Sequence, residues 1–315
     1  MNIYINNYCN QACPYCFAKD YMHASGREEM SFDDFKRVIR FLEKSDFPRL
    51  RLEGGEATLH PYFTRFAEYA LHRGFQISLF TNGLFPAEIQ KFIRKRAASF
   101  QLCWNVNEPG FYREENWGRL LANIRALRSL RACALGVNIY RHDQDLGYMY
   151  DLCKKYPPRY LRVVFAHHVG GDARQKVIAH SDLSRKTREV TELVRRVAVD
   201  LSIPTVFDCG FIPCMWSDEQ LGVLMKCAVR IGSCSLCPGI DYRLRVMHCF
   251  HTDSGRPLPR FSSLREVHDY LDRYKKRYDG LYLDEKCERC VQRRIGVCDT
   301  GCLGDRKFAN MQKVI

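Results

Sequence analysis

The sequence predicts an α/β protein in two parts. Residues 1–205 are predicted to form a parallel sheet covered by helices, and residues 206–315 a smaller, cysteine-rich domain. In the first part, segments with strand periodicity alternate six times with segments of helical periodicity, and such alternation favours a parallel sheet. After Leu201 the alternation stops and cysteine, glycine and proline become frequent, which places a domain boundary near residue 205.

The six units are identified from periodicity together with start and stop signals. In the first helix, Ser31 and Asp34 have the spacing of a capping box, and the apolar residues between Phe35 and Leu42 fall on one face. Pro61 opens the second helix and Gly74 ends it. The predicted strands are 2–7, 49–53, 76–81, 100–107, 135–140 and 160–166, and the predicted helices are 31–45, 61–73, 86–96, 116–130, 146–156 and 181–199.

The composition is that of a soluble globular protein. Hydrophobic residues make up 46% and charged residues 27% of the 315 residues, which argues against extensive disorder. The sequence contains no apolar run long enough for a membrane span and no signal peptide, so a cytoplasmic protein is expected. The formal charge of +13 would suit acidic substrates or RNA, but on its own it does not make nucleic acid the favoured partner.

Sixteen cysteines are unusual for a cytoplasmic chain of this length. Because disulfides are rare in a reducing compartment, metal ligation or redox chemistry is the better interpretation. Three of the cysteines lie within residues 9–16 and ten lie after residue 208, so the sequence contains two separate ligand zones. Three others, Cys103, Cys133 and Cys153, fall on predicted strands or helices and are expected in the core.

The first zone, Cys9-x3-Cys13-x2-Cys16, directly follows the first predicted strand. Three thiolates on one loop can hold three irons of a cubane cluster and leave the fourth iron open for a ligand. The segment closely resembles the radical S-adenosylmethionine (radical SAM) superfamily, and Tyr15 and Phe17 beside the last cysteine fit the family pattern. A zinc site completed by His23 is the alternative.

A second match lies at the end of the second predicted strand. Residues Glu53-Gly54-Gly55-Glu56, followed by Ala-Thr-Leu-His-Pro, resemble the GGE motif of the family. Glycines let the backbone approach the methionine part of SAM, and a carboxylate can pair with its ammonium group. The resemblance therefore implies that Gly54, Gly55 and Glu56 bind SAM, with Glu56 as the partner of the ammonium group.

Weaker matches extend the resemblance along the sheet. They imply that SAM also contacts residues at or near the ends of predicted strands: Tyr15, Asn82, Asn105, Asn138 and Arg162. The fourth strand departs from the family, since it reads Asn105-Val106-Asn107-Glu108 where relatives often have S-x-D-G. The fold implied by the resemblance is a partial (β/α)6 TIM-like barrel, whose ligands bind at the carboxyl ends of the strands.

The second cysteine zone resembles the SPASM extension of radical SAM enzymes, or its shorter form, Twitch. In SPASM terms, a first auxiliary cluster would use Cys234, Cys249, Cys302 and either Cys227 or Cys237, and a second would use Cys287, Cys290 and Cys298. A Twitch arrangement would form one cluster from Cys234 or Cys237 with Cys249, Cys287 and Cys290. The sequence departs from SPASM in three ways. Leu244 replaces the SPASM glycine, and seven residues instead of five separate Cys290 from Cys298. No cysteine follows Cys302, so the second cluster lacks a fourth cysteine. Structural zinc is the alternative.

Five further residues stand outside both cysteine patterns. Cys209 and Cys214 are candidate catalytic thiols that would return a hydrogen atom to a substrate radical; ligation of a cluster and simple burial are the alternatives. Asp208 is a candidate proton acceptor. His167 and His168 follow the last predicted barrel strand and are expected in an exposed loop.

The resemblance implies the cofactors and the chemistry. SAM would bind a [4Fe–4S] cluster on Cys9, Cys13 and Cys16 and be cleaved reductively to a 5′-deoxyadenosyl radical, which abstracts a substrate hydrogen atom. One or two auxiliary [4Fe–4S] clusters would accept the second electron of an oxidation. A peptide substrate, crosslinked or dehydrogenated, is favoured; a sugar or aminocyclitol dehydrogenase or epimerase is the alternative, and RNA modification is a third possibility.

Two protein partners are also implied. A flavodoxin or ferredoxin would supply electrons. Because Cys9 lies close to the first residue, a leader-recognition domain has no room before it, so a peptide substrate would need either a separate recognition protein or no leader. A membrane partner is not expected.

Overall fold

The computed structural model describes residues 1–19, 26–45, 48–128, 130, 133–168, 177–179, 182–208, 210–231, 234, 238–250 and 255–311. The strands in these ranges are β1 (Asn2–Tyr4), β2 (Arg49–Glu53), β3 (Gln76–Thr81), β4 (Phe100–Asn105), β5 (Cys133–Ile139), β6 (Tyr160–Phe165), β7 (Thr205–Phe207), β8 (Ala228–Ile231), β9 (Gly239–Ile240), β10 (Arg245–Met247) and β11 (Arg256–Pro257). The α-helices are α1 (Phe32–Glu43), α2 (Phe63–His72), α3 (Ala87–Lys95), α4 (Glu114–Ala126), α5 (Gly147–Lys155), α6 (Ser184–Leu201), α7 (Asp218–Cys227), α8 (Leu264–Lys276), α9 (Val291–Arg294) and α10 (Leu303–Met311).

All eleven strands of the described ranges join one sheet in the order β11-β10-β9-β1-β2-β3-β4-β5-β6-β7-β8. From β1 to β8 each strand pairs in parallel with the next one along the chain, and helices connect β2 to β6 on the outside. The six predicted βα units are therefore confirmed. The sheet also continues beyond them, through β7 and β8 at one edge and β9 to β11 at the other, while the domain boundary near residue 205 stays a prediction.

Helix α1 shows how the units pack. Ser31 caps it by accepting a hydrogen bond from the backbone N–H of Asp34 at 3.1 Å. The apolar face is fully buried, and the ring of Phe35 stacks on Phe66 of α2 at 4.3 Å. Burying side chains of this size contributes about 1.5–3 kcal/mol each. Cys103, Cys133 and Cys153 are buried, as predicted.

Several element ends differ from the prediction for local physical reasons. Strand β1 ends at Tyr4, and beyond it the chain stays bonded to the end of β2: the Ile5 N–H donates to the Glu53 carbonyl at 2.9 Å, and the Asn6 carbonyl accepts from the Gly55 N–H at 3.2 Å. Helix α4 begins at Glu114, where two acidic residues in the first turn complement the helix dipole. Helix α6 extends to Leu201 and ends at Ser202, whose φ of 56° is left-handed.

The strands place two kinds of residue on the two faces of the sheet. In β2, Leu50 and Leu52 are fully buried, whereas Arg51 and Glu53 on the opposite face are only partly buried. The same alternation gives β4 its Asn105 and β6 its Arg162 on the inner side. A (β/α)8 barrel fills its centre with bulky aliphatic layers, but this open sheet has a polar concave face.

No helix in the described ranges is long and apolar enough to cross a bilayer. The expected cytoplasmic location stays a prediction.

Candidate functional site

The first cysteine loop lies at the carboxyl end of β1. Cys9, Cys13 and Cys16 are all partly exposed and line one cavity of about 580 Å³, together with Lys19 and Arg27. The loop closes through a hydrogen bond from the Cys16 N–H to the Cys13 carbonyl at 3.1 Å. The three predicted cluster ligands are thus brought to one opening.

The sulfur atoms of this loop receive N–H donors. Cys9 Sγ accepts from the Gln11 N–H and from the Asn82 amide, both at 3.4 Å, and Cys13 Sγ accepts from the Asn107 amide at 3.6 Å. Burial, helped by the charge of Glu56, raises the pKa of Cys9 to about 12, and burial raises that of Cys16 to about 11. Thiols of this kind lose their protons when a cation binds. The donor set therefore fits a cluster held by three thiolates.

The two glycines of the GGE motif allow the β2 loop to touch the cysteine loop. A Cβ atom at Gly55 would lie 2.2 Å from the Tyr8 carbonyl oxygen, and one at Gly54 would lie 2.0 Å from Asn6 Oδ1. The Glu56 N–H also donates to the Tyr8 carbonyl at 2.9 Å. These glycines thus fix the position of Cys9, and their predicted contact with SAM stays a prediction.

Glu56 is buried, and its carboxylate accepts four hydrogen bonds from the protein. Its donors are the Thr58 hydroxyl at 2.6 Å, the Thr58 N–H at 3.3 Å, the Thr81 hydroxyl at 3.0 Å and the Asn82 N–H at 2.8 Å. Burial nevertheless raises the pKa of Glu56, and a nearby cation would favour the ionised form. Its pairing with an ammonium group stays a prediction. Its hydrogen bonds show that Glu56 links the end of β2 to the end of β3.

Tyr15 connects the cysteine loop to the middle of the sheet. Its hydroxyl donates to Asn107 Oδ1 and accepts from the Asn138 amide at 3.4 Å, and its ring packs on Tyr140 at 4.7 Å. In this segment the sequence predicts Asn105 as the residue at the SAM site. Asn107 stands two residues later, at the position of the aspartate in S-x-D-G, and it is the residue that contacts Cys13. The replacement of that aspartate by asparagine was the sequence feature that could have identified it.

The remaining predicted residues form a charged group on the concave face. Arg162 donates through Nε to the Asp208 carboxylate at 2.7 Å and through Nη1 to Asn105 Oδ1 at 3.3 Å. Its guanidinium lies 5.3 Å from the centre of the Phe80 ring. A predicted catalytic residue and two predicted SAM contacts are therefore neighbours; their roles stay predictions. Glu53 lies in the same region, and burial raises its pKa.

In the second zone, Cys234 and Cys302 are buried close together. Burial and the neighbouring Cys302 thiol raise the pKa of Cys234. Arg306 is 6% exposed, and in the described part of the chain its Nε has no hydrogen-bond partner, although its charge favours the Cys234 thiolate. Lys275 donates to the Cys234 carbonyl at 2.5 Å. A buried cation beside two thiols fits an anionic iron–sulfur cluster.

Cys249 and Cys227, also predicted for the first auxiliary set, lie on other chain segments than the buried pair Cys234 and Cys302. Cys249 follows β10, and the adjacent Phe250 packs on Tyr4 at 4.6 Å and on Phe17 at 5.3 Å, which joins this segment to the first cysteine loop. Cys227 ends α7 and packs against the core on the side of Arg195 in α6. Cys237 and the candidate catalytic thiol Cys209 lie outside the described residues.

The thiols of the predicted second set influence one another electrostatically, and a fourth thiol joins them; their role as cluster ligands stays a prediction. Burial raises the pKa of Cys298, and the thiols of Cys287 and Cys290 raise it further. The Thr300 N–H donates to Cys298 Sγ at 3.3 Å. Cys214, a predicted catalytic thiol, is an exposed neighbour of the same three cysteines.

His167 and His168 are not in an exposed loop, so that expectation was wrong. His167 is buried, and its Nδ1 lies 2.7 Å from Asp305, whose other oxygen accepts from the His168 N–H at 2.8 Å. Although burial would raise the pKa of Asp305, the two histidines lower it far below its usual range. His167, Asp305 and Cys302 also bring possible metal-ligand atoms within 4.8 Å of one another.

Comparison with known proteins agrees with this site. The profile described as the radical SAM superfamily matches residues 3–102. The S-adenosylmethionine-dependent nucleotide dehydratase of Selenomonas ruminantium is 34% identical over 84 residues, which are 26% of this chain and 29% of that protein. The 7,8-dihydro-6-hydroxymethylpterin dimethyltransferase of Methanocaldococcus jannaschii is 37% identical over 87 residues, 26% of this chain and 17% of that protein. Each match thus spans less than a third of the curated relative.

Solved structures resemble nearly the whole chain. Streptococcus suis SuiB bound to S-adenosylmethionine superposes with a TM-score of 0.67 at 15% identity, over 99% of this chain and 73% of SuiB. The anSMEcpe protein with bound AdoMet and Kp18Cys peptide gives a TM-score of 0.68 at 13% identity, over 96% of this chain and 88% of that chain. At such low identity the likeness establishes the fold, including that of the cysteine-rich region.

The thiol loop, its N–H donors and the family match agree on S-adenosylmethionine and [4Fe–4S] clusters as cofactors. Residues 3–102 thus carry a radical SAM superfamily domain, and a cysteine-rich region follows them.

Proposed function

We propose that this protein uses S-adenosylmethionine and a [4Fe–4S] cluster to modify a peptide oxidatively, by crosslinking or dehydrogenation. The observation that carries the proposal is the likeness of fold along 99% and 96% of the chain to SuiB and anSMEcpe. SuiB has been crystallised with the precursor peptide SuiA, and anSMEcpe with AdoMet and a peptide. The shared region includes both cysteine zones, so it extends well beyond the SAM-binding end.

The roles of the chain's own residues follow from their placement. Cys9, Cys13 and Cys16 would hold the cluster, while Asn82 and Asn107 stabilise the sulfur atoms by donating to them. When bound, SAM and its cluster supply a 5′-deoxyadenosyl radical that abstracts a substrate hydrogen atom, and the auxiliary clusters supply an acceptor for the second electron.

The polar concave face would orient the substrate. Arg162, held by Asp208 and Asn105, presents a fixed guanidinium beside the Phe80 ring. Such a group suits a carboxylate or a peptide carbonyl. Asp208 would serve as proton acceptor only when it is released from Arg162, because the guanidinium occupies the carboxylate oxygen that would take the proton.

A small-molecule substrate is the second candidate. It is favoured by the higher sequence identity to two proteins named as a nucleotide dehydratase and a pterin dimethyltransferase. Those matches cover only about a quarter of this chain, so they support a shared SAM-binding region more than a shared substrate. RNA modification, an electron-donor protein and a separate peptide-recognition protein stay predictions.

Iron content distinguishes one cluster from several. Protein reconstituted anaerobically with iron and sulfide is expected to hold about eight or more irons per chain, because two separate thiol zones are present and each cubane needs four irons. Replacing both Cys287 and Cys290 by alanine is expected to lower the iron content, as measured by metal analysis. The iron bound by the first cysteine loop is expected to be retained. Four irons in the wild type, unchanged in the double variant, would contradict the auxiliary clusters; zinc in place of iron would contradict them too.

The mass of the product distinguishes oxidation from epimerisation. Co-expression with short reading frames encoded beside the gene is expected to yield a peptide lighter by two hydrogen atoms per modification, seen by mass spectrometry and absent with the Cys13→Ala variant. In deuterated water an oxidation leaves no solvent deuterium on the modified carbon. Deuterium gained at a single carbon, with no net mass loss, would instead indicate epimerisation. Turnover of sugar-pathway compounds but of no peptide would favour the second candidate.

A further inference from the structure

The thiols of Cys287, Cys290 and Cys298 form a three-cysteine set at the carboxyl-terminal end of the fold. Three thiolates leave one iron of a cubane without a protein ligand, which is useful where SAM must bind. An auxiliary cluster that passes electrons has no such need, and an open iron would be exposed to solvent and to oxygen. A fourth ligand for this set would therefore have to come from the residues packed beside it.

Three chain segments meet beside this set. Gly301 has a φ of +83°, and a Cβ atom there would lie 2.4 Å from Leu283 Cδ1 and 3.1 Å from Ile212 Cδ1. Leu283 precedes the Cys287 turn, Gly301 follows Cys298, and Ile212 precedes Cys214. The close packing of these residues, at a position that only glycine fills, brings the Cys214 segment against both loops of the set.

The Cys214 segment is held firmly. Cys214 lies in the short 3-10 turn Pro213–Met215, with Ile212 and Met215 buried. The rings of Phe211 and Trp216 on either side stack at 5.4 Å with an angle of 12° between their planes. The packing of Ile212 and Leu283 around Gly301 places Cys214 beside the set. Although Cys214 is exposed, partial burial of its thiol raises its pKa, and the thiols of Cys298, Cys287 and Cys290 raise it further, which agrees with that placement.

Neighbouring thiolates repel one another, and a bound cation removes that repulsion. Cys298 already receives the Thr300 N–H, as sulfur ligands of iron–sulfur clusters commonly do. A hydrogen-atom donor must be a free thiol, whereas a ligand is a thiolate bonded to metal. The two roles predicted for Cys214, donor and ligand, therefore exclude each other.

We propose that Cys214 is the fourth ligand of a second auxiliary [4Fe–4S] cluster held by Cys287, Cys290 and Cys298. In the SPASM pattern the last cysteine of the motif has this role; here the ligand comes from the loop after β7. The inference rests on the iron–sulfur chemistry of the proposed function. Its consequence is that the cluster is fixed to the barrel sheet, six residues after the Asp208 that pairs with Arg162.

Thiol labelling tests the proposal without measuring activity. Cys214 is exposed, so a free thiol there would be alkylated readily by iodoacetamide. In the holoprotein, Cys214 is expected to be protected and to become reactive only after the iron is removed with a chelator, as read by peptide mass spectrometry. Alkylation of Cys214 in the fully loaded holoprotein, at the rate of the chelated form, would overturn the proposal.

A second measurement uses a variant without the first cluster, in which Cys9, Cys13 and Cys16 are all alanine. Adding Cys214→Ala to it is expected either to lower iron by about four per chain or to give a three-iron electron paramagnetic resonance signal after oxidation. Cys214→Ser is expected to retain more iron with an altered spectrum, and Cys153→Ala, a buried cysteine of α5, to change neither readout.

The possible failures are distinguishable. If the triple variant binds no iron, the auxiliary clusters of the proposed function are absent and the inference falls with them. If it binds iron whose amount and spectrum do not respond to Cys214→Ala, only the role of Cys214 is wrong. Zinc bound by the four cysteines would also overturn the proposal.

Discussion

Replacing Cys13 by alanine is expected to abolish the formation of 5′-deoxyadenosine from S-adenosylmethionine. The three thiols of the first loop line one cavity, and Cys13 is the member whose sulfur accepts from Asn107. With two thiolates left, the cubane loses a ligand in addition to the iron that must stay open for SAM. The measurement is anaerobic incubation of the reconstituted, dithionite-reduced protein with SAM, followed by chromatography of the nucleoside product.

Wild-type protein is expected to form the product slowly even without substrate, and the control Cys153→Ala to form it at the wild-type rate. Cys153 is fully buried in α5, where burial raises its pKa to about 12, so the control removes a core cysteine that lies outside both ligand zones. Product formation by Cys13→Ala at the wild-type rate, with the iron content intact, would mean that the first loop is not the SAM site.

The barrel could be predicted from the sequence because each strand and helix carries its own periodicity and its own breaker. The strands at 49–53 and 76–81 agree with the structure residue for residue. The cysteine loop and the GGE motif could be predicted for a similar reason, since each is a continuous stretch of a few residues. What such stretches contact across the fold is a different matter.

Contacts between distant residues could not be predicted. Asn107 reaches Cys13 across 94 residues of sequence, and Asp305 reaches His167 across 138. No periodicity relates such positions, and an asparagine or an aspartate alone is more often a surface residue. Cys214 shows the same limit, because its spacing matches no cysteine pattern and its neighbours become evident only when the loops after β7 and α9 are packed together.

The GGE carboxylate shows that a residue can be located correctly while its contacts are missed. The motif predicts that Glu56 faces a ligand, yet in the structure its oxygens accept from Thr58, Thr81 and Asn82. It joins the ends of β2 and β3 below the cysteine loop. Removing it should therefore affect both the fold and the cofactor site.

Replacing Glu56 by alanine is expected to lower the free energy of unfolding by at least about 3 kcal/mol, because three buried donors, the hydroxyls of Thr58 and Thr81 and the Asn82 N–H, would each lose an acceptor at a cost of about 1–3 kcal/mol. Urea unfolding of the apoprotein, followed by circular dichroism, measures this loss. The matched control is Glu43→Ala. Glu43 pairs with Arg73 near the surface, where an ion pair contributes only about 0–1 kcal/mol.

The same substitution separates the structural role of Glu56 from its predicted contact with SAM. If Glu56 also pairs with the ammonium group, SAM affinity measured on folded, reconstituted protein is expected to fall by about 1.5–3 kcal/mol, the range for a hydrogen bond to a charged group. Glu56→Gln sharpens the comparison, because glutamine retains one acceptor for Thr58 and Thr81 but carries no charge. A Gln variant that folds with near wild-type stability yet binds SAM weakly would place the charge of Glu56 in the cofactor site. Normal SAM binding by that variant would mean that Glu56 only stabilises the ends of β2 and β3. The glycines that precede it would then position Cys9 without help from the carboxylate charge.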